Sequence, residues 1–232
     1  GLYTLGEDNR MNRLDYSVAR PAAEALQINK VIRNTYTLLS ATLFFSALMA
    51  AVSVVISMPP MTYLISIGGA MLLIWFVLPK TANSASGLGV VFAITGLMGF
   101  GLGPMLEMYL SLPNGTQIVG TAFGGTGVIF LGLSGYALTS RKNFNFMGGF
   151  LFAGMLVVLV GALANIFLQI PAFSLAISAV IIMLMSGFIL YDTSRMIHER
   201  DSNYVMMTVS LYLSIFNIFV SLLHILGMTS DD

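Results

Sequence analysis

Seven long apolar segments constrain this chain more than any other feature of its sequence. Each is about 20 residues long, the length that a helix needs to cross the hydrocarbon core of a bilayer. Inside hydrocarbon, such a segment satisfies its backbone hydrogen bonds only as a helix or in a closed barrel. The predicted spans are residues 34–57, 61–79, 87–110, 117–139, 146–168, 172–194 and 204–227.

The composition supports a membrane protein. Hydrophobic residues make up 57% of the chain and charged residues only 9%, against about 25% charged residues in soluble domains. We therefore predict an all-α integral membrane protein, with its seven transmembrane helices in one domain over residues 31–232. Ten basic residues balance ten acidic ones, so no nucleic-acid partner is expected, and the absence of cysteine excludes thiol chemistry and disulfides.

Residues 1–30 are charged and lack the apolar core of a signal peptide. They are predicted to form a cytoplasmic amino-terminal tail that is polar enough to stay disordered, with a short helix over residues 21–34 that has Pro21 in its first turn. Because Gly1 is not a start methionine, residues 1–10 could be a remnant of a cloning vector, with Met11 as the native start.

The separators between spans alternate in charge. The tail and the second, fourth and sixth separators are basic, whereas the first, third and fifth separators and the segment after the seventh span carry no Lys or Arg. Cytoplasmic loops carry the excess of Lys and Arg in membrane proteins. The pattern predicts a cytoplasmic amino terminus and a periplasmic carboxyl terminus; a hairpin-like seventh segment with both termini inside is the alternative. The basic residues of the separators are Lys80, Arg141, Lys142, Arg195 and Arg200.

Small residues are spaced four apart in the third and fourth spans. The pairs are Gly99 with Gly103 and Gly120 with Gly124. Without side chains, helix backbones approach closely in membranes, so both pairs predict tight helix packing. A hinge in the third span, helped by Pro104, is the alternative.

Asp192 is the deepest charged residue in any predicted span. Ionisable groups inside a membrane are candidates for function, yet Arg195 follows at the i+3 spacing that places both residues on one helix face. Two interpretations stay open: a local ion pair, and a gate carboxylate that senses pH. Glu107, near the outer end of the third span, is interpreted as a solvated end residue and is a weaker candidate. Asn217 is predicted to bond between helices.

Two protease-like strings do not support catalysis. The motif "GLSG" around Ser134 is that of rhomboid proteases, but His198 lies in the charged sixth separator and His224 near the opposite face, so neither is placed as its base. The "YD" of Asp192 would need a second carboxylate, and the seventh span has none. We predict no catalytic residue and no enzymatic activity.

Longer strings identify a family. They are "VIRNTYTLLSATLFFSAL" in the first span, "PKTAN" after the second, "GFGLGPMLEMYL" in the third, "LYDTSRMI" closing the sixth and "SLYLSIFNIFVSLLHILG" in the seventh. Over about residues 31–227 the chain resembles the Bax inhibitor-1 (transmembrane BAX inhibitor motif) family. The resemblance implies six helices packed around a central seventh.

The resemblance also implies two activities. Bacterial members are associated with FtsH, the membrane-anchored ATP-dependent protease of membrane quality control, as its substrate and modulator. The first expectation is therefore a modulator of FtsH in the bacterial inner membrane. Other members behave as pH-sensitive calcium leaks, so the alternative is a calcium, cation or proton leak gated at Asp192. A membrane protein with neither activity also stays open.

The chain departs from the leak pattern at one position. The family pairs an aspartate in the sixth span with one in the seventh, and only Asp192 matches; Ser214 stands in the second place, with Asn217 three residues later. Like-charge repulsion between two carboxylates is then absent, and Ser214 is expected to donate to Asp192. One carboxylate holds calcium less well than two. We expect weak calcium binding at most, a less steep pH response, and no other cofactor.

Overall fold

The computed structural model describes residues 4–230, apart from the side chains of residues 4–9, 12, 14 and 18. Within that part of the chain all regular structure is helical, and seven helices are long and apolar enough to cross a membrane. The predicted spans are therefore confirmed, with ends that differ by a few residues at most places. In order, the spans are Asp15–Val55, Met61–Thr81, Ser86–Leu110, Gly115–Ser140, Asn145–Leu168, Pro171–His198 and Tyr204–Thr229.

The first helix is longer than the sequence suggests. It runs without interruption over Thr4–Val55, with Pro21 inside it, so the expected disordered tail with a short helix over residues 21–34 is replaced by one continuous helix. Residues 22–30 are mainly good helix formers, and a helix already formed in the membrane propagates outward without a new nucleation step. The segment 1–10, predicted to precede the native start, lies partly outside the described residues, as does the carboxyl terminus at 231–232.

Proline interrupts the regular winding of the second span. α-Helical Met61–Leu72 and Leu78–Thr81 flank a π-helical turn over Leu73–Val77. Pro79 has no amide hydrogen for the carbonyl of Trp75, and a widened turn accommodates the missing bond.

A proline also interrupts the third span. One helix covers Ser86–Gly101 and the next covers Gly103–Leu110, with Pro104 in the first turn of the second piece. At the break the amide of Leu102 bonds to the carbonyl of Gly99 at 3.0 Å, a tighter turn than in an α-helix.

The seventh span occupies the centre of the bundle, as the resemblance implied. It packs against the first, third, fourth and sixth spans. Fully buried side chains follow its whole length, among them Leu211, Tyr212, Ile218 and Leu223. The fifth span is peripheral and carries large exposed apolar side chains such as Phe167, which suit contact with lipid.

Only one of the two predicted glycine pairs packs a helix. A methyl group added at Gly99 or Gly103 would overlap Ser46 or Ser53 of the first span, so the first and third spans approach closely there. At Gly120 and Gly124 the same methyl group would meet no atom within 4 Å. The prediction of a packing pair in the fourth span is therefore wrong, because these glycines lie on its outward face.

Polar contacts join the loops at one end of the bundle. Asn203, before the seventh span, donates to the side-chain oxygen of Asn83 at 2.7 Å, and Ser194 accepts from the amide of Phe144 at 2.8 Å. We call this end, which carries the basic residues of the even-numbered separators, the basic end. Its assignment to the cytoplasm stays a prediction, since the fold is the same whichever side it faces.

The close approach of the first and third spans predicts the effect of Gly99→Ala. The added methyl group would collide with the carbonyl group of Ser46, so the two helices must separate, at about 1–3 kcal/mol. We expect a lower thermal unfolding midpoint in detergent. Gly124→Ala is the matched control, and it should be neutral or stabilising because alanine favours a helix. Equal midpoints for the two variants would contradict the packing described here.

Candidate functional site

Asp192 is buried where the sixth and seventh spans lie side by side. Its side chain is inside the bundle, and the residue is 1% exposed. The sixth helix ends at His198 and the seventh begins at Tyr204, so the chain reverses within a short turn. Residues equally far from that turn lie level on the two antiparallel helices. Ser210 is level with Asp192, and its hydroxyl donates to the carboxylate at 2.5 Å.

Arg195 contacts Asp192 only loosely. Its Nη1 lies 3.9 Å from Asp192 Oδ1, while its Nε lies 3.5 Å from an oxygen of Glu199. The guanidinium also stands 5.4 Å from the ring centroid of Tyr191. The predicted i, i+3 pair therefore exists, but the cation is shared among three neighbours. The tightest contact of the carboxylate is the Ser210 hydroxyl.

The hydroxyl donor is one helical turn away from the predicted one. Ser214 is buried at 3% exposure on the same side of the seventh span, but the residue that bonds Asp192 is Ser210. The family pattern directs attention to Ser214, whereas counting residues from the short turn between the helices would have identified Ser210. The expected bond from Ser214 to Asp192 is thus corrected.

Polar side chains continue along one face of the seventh span. They recur at alternating steps of four and three residues, which keeps them on one side of a helix, and they extend over about 21 Å of helix at 1.5 Å per residue. This stripe, which we call the polar stripe, leads from Asp192 toward the end opposite the basic end. Its members are Ser210, Ser214, Asn217, Ser221 and His224.

The far half of the polar stripe lines a polar cavity. This cavity has a volume of about 450 Å³ and lies among the second, third, fifth, sixth and seventh spans. His224 Nε2 and the hydroxyl of Ser174 are 2.8 Å apart there. Asn217 also lines it, and its amide donates to the carbonyl of Leu213 at 2.8 Å. This bond lies within its own helix, which corrects the prediction of a bond between helices. The predicted site residues therefore separate: Asp192 and Arg195 lie toward the basic end, and Asn217 lies in the cavity.

Glu107 belongs to neither part of this site. Its carboxylate accepts a hydrogen bond from Ser57 at 3.1 Å, between the ends of the third and first spans. It is half-buried at the end opposite the basic end. That position matches the interpretation of an end residue.

The hydrogen-bond partner of Ser134, the serine of the rhomboid-like motif, is a tyrosine. The serine hydroxyl bonds to the hydroxyl of Tyr36 in the first span, and His224 is engaged with Ser174. Among the described side chains, no group of three or more His, Asp or Glu residues is arranged to hold a metal ion. Calcium at Asp192 would thus have a single carboxylate together with hydroxyl oxygens.

Comparison with known proteins gives consistent matches over most of the chain. The family model described as "Inhibitor of apoptosis-promoting Bax1" matches residues 28–231. An Escherichia coli protein named "Modulator of FtsH protease YccA" is 50% identical over 207 residues, which make up 89% of this chain and 94% of that protein. A protein from another strain of Escherichia coli, named "Inner membrane protein YccA", matches equally well. A Vibrio cholerae protein named "Uncharacterized membrane protein" is 46% identical over 222 residues, or 96% of this chain and 100% of that protein.

The contact between Ser210 and Asp192 predicts a specific order of stability effects. Ser210→Ala leaves the buried carboxylate without its hydroxyl donor, which should lower the free energy of unfolding by about 1–3 kcal/mol. Arg195→Gln should cost less, because that contact is long and partly solvent-exposed. Ser214→Ala, the same change one turn away, is the matched control. Unfolding in detergent measures all three, and a larger loss for Ser214→Ala than for Ser210→Ala would contradict the assignment.

Proposed function

This chain belongs to the Bax inhibitor-1 family, and on that premise we propose that it is a non-enzymatic protein of the bacterial inner membrane that binds and modulates the protease FtsH. The observation that carries the proposal is the 50% identity, over 89% of this chain, to an Escherichia coli protein named as a modulator of that protease. The membrane setting follows from the seven apolar helices. In this proposal the basic end faces the cytoplasm.

The first helix supplies a contact outside the membrane. Its 52 residues correspond to about 78 Å at 1.5 Å per residue, whereas the hydrocarbon core is about 30 Å thick. The helix therefore projects well beyond the bundle at the basic end, and most described side chains between residues 10 and 30 are exposed there. The separators between spans are short, so this helix is the longest surface that a cytoplasmic partner meets.

The projecting helix can be unfolded without unfolding the bundle. An isolated helix is marginal in water because its stability in proteins comes mostly from packing. Among the described side chains, Glu24 of the projection forms an ion pair with Arg200 in the turn between the sixth and seventh spans. Arg200 is 65% exposed in that pair, and exposed pairs contribute little. An ATP-dependent protease could therefore use this segment as its point of engagement.

Removal of the projection tests the proposal. Deletion of residues 1–30 should lengthen the lifetime of the protein in cells that contain FtsH, because the protease loses its handle. Pulse-chase measurement in cells with active protease and with a proteolytically inactive form gives the lifetime. Asp192→Asn is the control, since it changes the buried carboxylate and leaves the handle intact. An unchanged lifetime after the deletion would count against this role for the tail.

A second candidate function is favoured by the polar stripe. The stripe joins the carboxylate of Asp192 to the polar cavity at the opposite end, and intramembrane polar residues mark ion and proton pathways in other proteins. We propose as this alternative a pH-sensitive leak for calcium or other cations, gated at Asp192. Arg195 and Ser210 both contact the Asp192 carboxylate. Because the site has a single acidic group, its calcium binding is weak. The FtsH role requires no conductance, so a flux assay separates the two.

Restoration of the second carboxylate tests the leak. In liposomes with a calcium-sensitive dye inside, wild-type flux should be weak and should fall further with Asp192→Asn. Ser214→Asp places a carboxylate one turn from the Asp192 contact, and flux should rise on the order of tenfold with a steeper pH dependence. Ser221→Asp, on the same face two turns further along, is the matched control and should give less. Strong wild-type calcium flux, or equal effects of the two aspartates, would contradict the single-carboxylate gate.

A further inference from the structure

A second cavity lies on the opposite side of the seventh span from the polar cavity. Its volume is about 240 Å³, and it is enclosed by the first, third, fourth and seventh spans. Small residues leave the space: Ala47 and Ala50 on the first span and Gly127 on the fourth. Its floor is formed by the central helix, with Ile215 and Phe216.

The mouth of this cavity faces the lipid. Ala47 and Phe123, which line it on the first and fourth spans, are both exposed, Phe123 at 54%. Closer to the basic end the same two spans are joined, because Tyr36 bonds to Ser134 and its ring lies 6.1 Å from that of Phe130. The cavity is thus a side crevice between two spans, which we call the lateral crevice. Its exposed lining side chains, Ala47 and Phe123, lie on the lateral surface of the first and fourth spans.

The depth of the lateral crevice excludes polar headgroups. Phe216 lies near the middle of the seventh span, which covers Tyr204–Thr229. Ala47 lies eight residues before the end of the first helix at Val55, or about 12 Å at 1.5 Å per residue. Half of the hydrocarbon core is about 15 Å. Hydrocarbon chains, and not headgroups, reach this level of a bilayer.

The polar atoms that line the crevice are already bonded within the protein. The hydroxyls of Ser46 and Tyr212 bond to each other at 2.5 Å, and Tyr212 also donates to the carbonyl of Thr95 at 3.3 Å. The hydroxyl of Thr126 donates to the carbonyl of Ala122 at 2.7 Å. No lining side chain therefore needs a polar ligand. An apolar cavity of about 150 Å³ stays free of water and takes up benzene, and this one is larger.

We propose that the lateral crevice is a binding site for the end of a lipid acyl chain. The chain would enter between Ala47 and Phe123 and contact Phe216 on the central helix. Burial of apolar surface in a gap of this size recovers the dispersion contacts that an empty void forfeits. A bilayer supplies acyl chains at this depth on every side of the protein. The proposal does not depend on the partner or the ion considered above.

Photolabelling from defined positions on a lipid tests the site. The protein is reconstituted in vesicles of phosphatidylethanolamine and phosphatidylglycerol that contain a phosphatidylethanolamine with a photoreactive diazirine at the end of one acyl chain. After irradiation, peptide mapping should find label on Ile215 or Phe216, which are 9% and 7% exposed. The same lipid with its diazirine beside the glycerol should not label them. Labelling by the acyl-end probe that is confined to outward side chains such as Val128 would overturn the proposal.

Two glycine substitutions provide a matched pair. A methyl group added at Gly127 or at Gly124 meets no atom within 4 Å, so the first carbon of a larger side chain fits at either position. Only Gly127 lines the crevice. Gly127→Leu should fill it and reduce the label on Phe216, relative to that on Val128, about tenfold, which corresponds to about 1.4 kcal/mol. Gly124→Leu should leave the ratio unchanged.

Other occupants give different outcomes. Equal labelling ratios in the two glycine variants would overturn the proposal. The proposal would also be overturned if the label on Ile215 and Phe216 disappears, and a crosslinked dimer forms, as the protein-to-lipid ratio is raised. A second copy of the chain would then fill the crevice. Interior labelling that persists at all protein densities and is lost only with Gly127→Leu is the result expected for an acyl chain.

Discussion

Hydrocarbon offers no hydrogen bonds, and the backbone and most polar side chains of this bundle are arranged around that constraint. The backbone meets it by winding into seven helices. Hydroxyl side chains meet it by donating back to their own helix, as Thr95 does to Val91 at 3.0 Å and Thr193 to Ile189 at 2.7 Å. Other hydroxyl groups bond between helices instead, among them Ser46 with Tyr212 and Ser210 with Asp192, on the first, sixth and seventh spans. Those bonds join the central helix to its neighbours.

Asp192 is the group for which this constraint is most demanding. A buried carboxylate needs a partner, and the one it has is a neutral hydroxyl backed by a distant, shared guanidinium. A tight bidentate pair with arginine would favour a purely structural role, and that pair is absent here: Arg195 approaches only to 3.9 Å. The arrangement fixes the carboxylate through one tight hydrogen bond from Ser210, so the proposed leak has Asp192 as its single carboxylate, with Ser214 at the position of the second.

The two cavities beside the seventh span differ in chemistry because different faces of one helix line them. The face with Asn217, Ser221 and His224 borders the polar cavity at one end. Another face, with Ile215, Phe216 and Phe219, borders the lateral crevice at mid-depth. The central helix thus has polar side chains on the face that borders the polar cavity and apolar side chains on the face that borders the lateral crevice. Both surfaces are independent of the projecting first helix, so a protease partner, an ion and a lipid chain can be tested separately.

Much of the architecture followed from the sequence alone. Apolar segments of bilayer length predicted seven spans because the thickness of hydrocarbon sets the helix length. The family strings predicted the central seventh helix, and the i, i+3 spacing predicted the contact of Asp192 with Arg195. These inferences succeed because they depend on a single helix or on a long shared pattern.

The tertiary structure decided what depends on the relative position of two helices. Identical four-residue glycine spacings proved to be a packing contact at Gly99 and an open outward face at Gly124, since spacing does not say which way a helix is turned. The hydroxyl donor to Asp192 proved to be Ser210, because the short turn after His198 sets which residues lie level. The lateral crevice exists only because small residues of the first and fourth spans meet at one depth, a coincidence that no single segment encodes.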